Sequence, residues 1–262
     1  MDPALRAAAT GMMAQQVRTE VIANNLANVS TTGFKRSRAH FEDLLYQTVQ
    51  GTATVATQDA VTTPAIQVGR GVRLSAVQRL HAQGPIEVTN RGLDVAIEGE
   101  GFFQVQLPNG QTAYTRDGSF GISDTGTLVT QGGYTVAPGI KVPDQAADLQ
   151  ISRSGIVTVK QPGRAEPVEI GRLELARFTN PSGLESVGEN LYLATPASGE
   201  PAAGFPQDDG LGRLVQGALE SSNVEIVQEM VDMITAMRAY EINSKAIKNS
   251  EQMAEIANSM VR

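Results

Sequence analysis

Hydrophobic residues near the start of the chain recur at the spacing of one helix face. Between residues 4 and 29 glycine occurs only at Gly11, and no proline follows Pro3. Pro3 suits the first turn of a helix, where its missing N–H costs no hydrogen bond. The pattern predicts an amphipathic helix that ends at residues 31–33, where Gly33 would form a left-handed cap. The recurring positions are Leu5, Ala8, Met12, Ile22, Leu26 and Val29.

A longer helix is predicted in the last forty residues. Apolar positions there alternate at steps of four and three, and neither glycine nor proline follows Gly217, so a helix could run almost to Arg262. Ser221, Ser222 and Asn223 are predicted N-caps. A second row, Val227, Val231 and Ile234, widens the stripe. The main row is Ile226, Met230, Met233, Met237, Tyr240, Ser244 and Ile247.

The middle of the chain is typical of β-structure. Residues 94–98 and 102–107 are short β-type runs, and Asn109-Gly110 directly after them is a strong hairpin signal. Further turn signals recur every 8–12 residues or so, which predicts an all-β sandwich or barrel-like domain. Residues 50–67 and 196–212 have little periodicity and are predicted to be extended or linker-like.

Composition narrows the classes of function. The net charge of −7 argues against binding to nucleic acid, which needs a basic surface. The absence of cysteine excludes disulfides and thiol catalysis, and no apolar run approaches the length of a membrane span. Residues 1–6 lack the basic start and apolar run of an ordinary secretory signal.

Candidate catalytic chemistry is sparse. His40 and His81 are far apart, and neither has a histidine partner at metal-ligand spacing. The glycines around Arg70 and Glu100 lack the third glycine of a dinucleotide loop, and no nucleophile motif is present. The sequence therefore predicts no catalytic residue, cofactor or metal site, and no enzyme.

The two helical ends favour assembly. An amphipathic helix usually packs on its own domain, but two terminal helices packed only on each other would leave part of the wide C-terminal stripe exposed. Exposed apolar area of that size marks an interface. Three methionines on one face suit an adaptable contact, although they could equally fill gaps. The amides of Asn24, Asn25 and Asn28 lie beside the first stripe, and we expect them to bond across subunits rather than to form polar surface.

Several motifs resemble a known family. Residues 23–36 (ANNLANVSTTGFKR) resemble the N-terminal signature of bacterial flagellar rod and hook proteins, and residues 222–245 are similar to the matching C-terminal signature. Segments 41–48, 93–97 with 101–103, 114–120 and 184–192 are most similar to distal rod subunits of that family. The first ten residues depart from the family pattern.

The resemblance implies a structural subunit that polymerises into a rigid helical tube and transmits motor torque across the periplasm to the hook. Such subunits leave through the flagellar type III export apparatus without a cleaved signal. The implied partners are other copies, other rod subunits, the hook protein and the surrounding P- and L-ring proteins. Residues 47–68 correspond to a segment thought to stiffen the rod. No cofactor is implied.

The predicted fold is α+β and multi-domain, with the terminal helices paired as a coiled coil and a mainly antiparallel β central domain. We expect an N-terminal helix of the inner domain at 1–42, an extended or β connecting segment at 43–72, a β-rich outer domain at 73–218, and the C-terminal helix at 219–262. The predicted assembly interface comprises Leu5, Met12, Ile22, Asn24, Asn25, Leu26, Asn28, Val29, Phe34, Ile226, Met230, Met233, Ile234, Met237, Tyr240, Ser244 and Ile247.

Two alternatives remain open. The nearer one is another axial subunit of the same family, either a proximal rod protein or a short hook protein. The further one is a periplasmic β-domain binding protein whose helical ends are incidental.

Overall fold

The computed structural model describes residues 3–50, 53–54, 62–63, 65–143, 148–161, 166–208 and 210–260. The chain forms two compact units, and each is discontinuous in sequence. The helical unit comprises residues 1–26, 37–78 and 225–262, and the β unit comprises residues 27–36 and 79–224. The backbone therefore crosses between the units after residues 26, 36, 78 and 224.

This division differs from the predicted boundaries at residues 42, 72 and 218. The first helix ends at Ala27, and residues 27–36 belong to the β unit. Their backbone finds partners there, because the Gly33 N–H donates to the Glu220 carbonyl oxygen at 2.8 Å. Gly33 has the predicted left-handed conformation, with φ +68°, but it is not the helix cap. A Cβ at this position would lie 2.8 Å from the Asp117 nitrogen, so glycine is required by close packing.

The helical unit contains the two helices that the periodicity predicted. Helix α1 spans Pro3–Ala27 and helix α2 spans Ile226–Met260. The predicted N-cap role of Asn223 is wrong, because its side-chain amide is bonded to backbone groups of Arg36, Leu80 and Ala82 in the β unit.

Between the helices, the described part of the helical unit forms a nested β-hairpin. Its innermost described pair is β3–β4, followed outward by β2–β5 and β1–β6. Residues 55–61, within the predicted connecting segment, lie outside the described residues. The strands are β1 Ser37–Asp43, β2 Gln47–Gln50, β3 Ala53–Thr54, β4 Thr62–Thr63, β5 Ile66–Val68 and β6 Val72–Arg79.

The β unit holds the remaining strands and a single turn of 3-10 helix at Pro181–Gly183. The strands are β7 Ile86–Val88, β8 Val95–Glu98, β9 Phe102–Gln106, β10 Thr112–Thr115, β11 Phe120–Ile122, β12 Leu128–Thr130, β13 Thr135–Val136, β14 Asp148–Ile151, β15 Ile156–Lys160, β16 Val168–Arg172, β17 Leu175–Arg177, β18 Glu185–Gly188, β19 Leu191–Leu193, β20 Ala202–Gly204, β21 Arg213–Gln216 and β22 Ala218–Glu220.

Antiparallel pairing dominates the β unit. Its largest sheet has nine strands, in the order β11-β12-β13-β9-β10-β19-β18, with β17 also on β9 and β20 on β17. A three-stranded sheet β14-β15-β16 and the pairs β8–β21 and β7–β22 complete it. The α+β prediction with a mainly antiparallel β body is thus confirmed. In the part of the chain that the structure describes, no helix is long and apolar enough to cross a membrane.

The hairpin signal at Asn109-Gly110 is confirmed. Strands β9 and β10 pair from Thr112 opposite Gln106 to Thr115 opposite Phe103, and Gly110 has φ +82° in the connecting turn. The adjacent aromatic residues Phe102 and Phe103 belong to two different buried clusters. Because successive side chains of a strand point to opposite faces, β9 is covered on both sides and anchors the core of the unit.

Candidate assembly surface

Helices α1 and α2 contact each other at several positions within the helical unit. Residue numbers fall along α2 as they rise along α1, so the two helices run in opposite directions. Two of these contacts are hydrogen bonds between side chains, from Asn25 Nδ2 to Glu229 Oε2 at 3.2 Å and from Arg18 Nη2 to Asp232 Oδ1 at 3.4 Å. The helices also approach closely at Gly11, where an added Cβ would lie 2.9 Å from Asn243 Nδ2.

The seam between these helices is polar or small on the α2 side. Glu229, Ala236 and Ser250 are buried, and Asn243 is half-buried between them. Their seven-residue spacing keeps them on one side of α2. Buried polar residues in a helix seam fix its register, whereas they add less hydrophobic stabilisation than leucine or valine would. The seam therefore specifies how the helices align more than it holds them together.

The outer face of α2 carries the apolar residues instead. Met237 is 53% exposed, at the centre of a stripe that covers both predicted rows. The row beside it includes Val227, which is 70% exposed. A patch of large apolar side chains on this scale marks an interaction surface. Its exposed members are Ile226, Val227, Met230, Val231, Ile234, Met237 and Tyr240.

The predicted interface residues differ in exposure. One group is exposed: Asn24, Ile226, Met230, Ile234, Met237 and Tyr240. A second group is half-buried: Leu5, Met12, Leu26, Asn28, Val29, Met233, Ser244 and Ile247. A third group is buried inside the chain itself: Ile22, Asn25 and Phe34.

The buried group is enclosed within the single chain, and its place in an assembly interface stays a prediction. Asn25 is the clearest case. Its Nδ2 donates to the Ser37 carbonyl oxygen at 2.8 Å, and its Oδ1 accepts from the Ser37 N–H at 2.9 Å. The amide that we expected to bond across subunits is thus satisfied within its own chain, whereas neighbouring Asn24 lies exposed.

The stretch between β1 and β2, within the family motif segment 41–48, exposes two large side chains that were not among the predicted interface residues. Leu45 is 87% exposed and Tyr46 is 56% exposed. They line a cavity of about 730 Å³, together with Arg6, Arg70 and other residues of the helical unit. The signal was present in the sequence, because the run Leu44-Leu45-Tyr46 is apolar and directly precedes a polar, threonine-rich stretch.

A buried charge cluster lies in the β unit, centred on Glu220 of β22. Lys35 Nζ donates to Glu220 Oε1 at 2.5 Å, and Arg116 Nη1 donates to Oε2 at 3.3 Å. The Gly84 N–H also donates to Oε1 at 2.9 Å. Lys35, Arg116 and Glu220 are each at most 5% exposed. A carboxylate with this many charged and backbone donors is well compensated, so a buried ion pair is tolerated here.

His81 lies beside this cluster and packs edge-on against the rings of Phe102 and Tyr192. Burial, together with the positive charges of Lys35, Arg116 and Arg79, lowers the pKa of His81 to about 4. Burial also lowers the pKa of Lys35, although Glu220 acts in the opposite direction. Two of the family motif segments, 23–36 and 114–120, therefore meet at the carboxylate of Glu220 through Lys35 and Arg116.

Known proteins resemble the chain from end to end. The flagellar basal-body rod protein FlgG of Borreliella burgdorferi is 51% identical over 264 residues, which covers all of both chains. FlgG of Buchnera aphidicola subsp. Baizongia pistaciae is 51% identical over 97% of this chain and 98% of its own. The chain belongs to the flagellar basal-body rod protein family.

Three family models match separate parts of the chain. The model "Flagella basal body rod protein" matches residues 5–35, and "Flagellar basal body rod FlgEFG protein C-terminal" matches residues 215–260. The model "Flagellar hook protein FlgE/F/G D1 domain" matches residues 96–159, within the β unit. A rod protein named FlgF, from Caulobacter vibrioides, is 35% identical over 98% of this chain and 97% of its own. The family is structural and its members belong to the flagellar basal body.

Proposed function

We propose that this rod subunit forms the distal part of the flagellar rod, where copies polymerise into a rigid helical tube that transmits torque to the hook. Full-length identity of 51% to two FlgG proteins supports the distal assignment over the alternative of another axial subunit, since the FlgF relative is only 35% identical. The same full-length similarity disfavours a β-domain binding protein. We further propose the periplasm and outer membrane as its location, with export through the flagellar apparatus.

The observation that carries the polymer model is the exposed stripe on α2. The helices would pair as an antiparallel coiled coil through the polar seam, with the apolar stripe turned toward neighbouring copies. Seventy percent exposure of Val227 and 53% of Met237 are unusual for a free subunit, and burial in a polymer would remove this cost. A contact between different surfaces of identical subunits does not close on itself and generates a filament.

The remaining interface and partner assignments follow from this model. Half-buried residues at the edge of the stripe, such as Met233 and Ile247, would complete contacts between copies. The exposed side chains of Leu45 and Tyr46, between β1 and β2, would form a second contact. Within this proposal the wall of the helical tube is built from the inner helical domain, the connecting β-hairpin and the outer β domain. Other rod subunits, the hook protein, the ring proteins and the export apparatus would be its partners.

Met237→Asp tests the proposal. A charge placed in a packed apolar contact loses its water, so we expect the variant to abolish polymerisation while the β unit stays folded. Basal bodies should then lack the distal rod in electron micrographs, and cells should not swim. Val187→Asp is the matched control, because Val187 on β18 is 49% exposed but lies outside the proposed interface. An intact rod in Met237→Asp cells would refute the interface.

A further inference from the structure

The backbone crosses between the two units at four points, and three segments of the β unit adjoin these points. Residues 27–36 provide the crossings after 26 and 36, residues 79–85 follow the crossing after 78, and residues 220–224 precede the last one. These segments are far apart in sequence, yet they are bonded to one another inside the β unit. We name this meeting point the connector node and define it by Lys35, Arg36, Leu80, Ala82, Glu220 and Asn223.

Asn223 joins the three segments with a single side chain. Its Oδ1 accepts from the Arg36 N–H at 2.7 Å, and its Nδ2 donates to the carbonyl oxygens of Leu80 at 2.8 Å and Ala82 at 3.0 Å. The Leu80 N–H donates to the Arg36 carbonyl oxygen at 2.9 Å, which closes the link between the other two segments.

Glu220 joins the same three segments a few residues earlier. Its carboxylate holds Lys35 of the first segment and the Gly84 N–H of the second. Lys35 Nζ also donates to the Ala82 carbonyl oxygen at 2.8 Å, so it bonds to both of the other segments. Cooperative networks of buried, charge-assisted hydrogen bonds are stiff and well specified.

We propose that the connector node transfers mechanical load between the two units, with Asn223, Glu220 and Lys35 as its positioning residues. The inference rests on the proposed torque-transmitting function. Force that passes from one unit to the other along the backbone must use one of the four crossings. Because the node ties the segments that carry them, load on any one segment is shared by the other two. Without the node, force on one segment would act only on that segment and on the β-strand next to it in sequence, which could then separate from its sheet.

Asn223→Asp is the sharpest test, because it keeps the acceptor for the Arg36 N–H and removes both donors to Leu80 and Ala82. Asn109→Asp is the matched control, since it makes the same change in an exposed hairpin turn outside the node. Glu220→Gln is a second variant that preserves the shape and removes the charge. Each is introduced into the full-length chain in cells, and swimming is recorded in media of rising viscosity alongside counts of intact rods and thermal unfolding of the purified subunit.

We expect Asn223→Asp cells to assemble normal rods and to swim normally at low viscosity, but to lose swimming in viscous medium where Asn109→Asp cells still swim. Its melting temperature should fall by only about 2–4 °C, and that of Glu220→Gln by roughly 5–10 °C. Wild-type swimming at every viscosity in cells with intact Asn223→Asp rods would overturn the proposal. Loss of rods together with an unfolded β unit would also overturn it, because the node would then serve folding alone. Rods that persist in cells lacking this chain would instead refute the proposed function.

Discussion

The β unit buries a cluster of charged side chains, whereas the outer face of α2 exposes a stripe of apolar side chains. In the β unit, Lys35, Arg116 and Glu220 are almost fully enclosed, and their charges are satisfied by one another and by backbone groups. On α2, Val227 and Met237 stay exposed while Glu229 is buried against α1. The charge cluster and the apolar stripe are two exceptions to the usual distribution of residues, in a chain whose β unit also has an ordinary apolar core.

The difference shows which interactions each region completes alone. A buried ion cluster must be satisfied within one chain, because an unpaired buried charge is very costly. An exposed apolar face is tolerated in a free subunit, because the free-energy cost of exposing it to water is proportional to its area and is removed on association. The β unit thus satisfies its own buried charges, whereas we expect the helical ends to gain stability from neighbouring copies.

The largest effect expected from this comparison concerns the helices of the free subunit. Helices α1 and α2 have 25 and 35 residues, and their mutual seam buries mainly small or polar groups. Most of the stability of helices in proteins comes from packing of an apolar face, and these two helices bury few large apolar groups against each other. We expect them to be largely unfolded in the monomer and to form on assembly. Far-ultraviolet circular dichroism of monomer and polymer measures the helix content. Equal helix content in the two would contradict the idea that the helices, unlike the β unit, depend on assembly.

The next largest effect is expected from Glu220→Leu, which removes the carboxylate that compensates the buried charges of the β unit. Lys35 and Arg116 would be left buried without a counter-charge, at a cost of about 3–5 kcal/mol in the free energy of unfolding. Chemical unfolding of the purified subunit gives the value. The control is Glu98→Gln, which removes an exposed pair with Arg213 and should change stability little, because solvent screens it. Equal losses in the two variants would contradict the role assigned to burial.

The smallest effect is the dependence of the stability of the β unit on pH that arises from His81. The folded state holds the pKa of His81 at about 4, below its ordinary value of 6.5, so the unfolded chain takes up the proton first. The contribution is fully present above about pH 6.5 and is lost as the pH falls toward 4, with a maximum of roughly 3 kcal/mol. Lys35, Arg116 and Arg79 oppose the added charge, and Glu220 is the acid of the same cluster. Unfolding of wild type and His81→Gln between pH 7 and 4 isolates this contribution, and parallel stability curves would exclude it.

Periodic patterns predicted the long elements well. The steps of four and three residues gave α2 nearly to its end at Met260, and Asn109-Gly110 located the β9–β10 hairpin. Local spacing carries such information because it depends only on neighbouring residues. The resemblance of residues 23–36 to the rod family identified the class of protein, which the full-length relatives then established.

Long-range pairings could not be predicted in the same way. Nothing near Lys35 in the sequence indicates that it meets Glu220, 185 positions later, or that Asn223 bonds backwards to Leu80 instead of capping α2. Asn25 shows the same limit, since the amide that looked available for a neighbour is used by Ser37 and Glu229. The periodicity of a helix shows which residues share a face. It does not show which of those faces is buried within the same chain.

The nested hairpin has a consequence for the solubility of the unassembled subunit. In its described part, every strand pairs with one neighbouring strand only, so N–H and C=O groups on its other side can template further strands. Side chains of α1 already bond some of these groups, at Ser37 and Val72. The hairpin's charged side chains also oppose such pairing, since Arg73 and Glu42 form an exposed ion pair at 3.0 Å on the β1–β6 ribbon. Charged side chains on an edge strand oppose pairing with strands of other molecules. An ion pair that adds little to folding can therefore make free subunits less prone to aggregate.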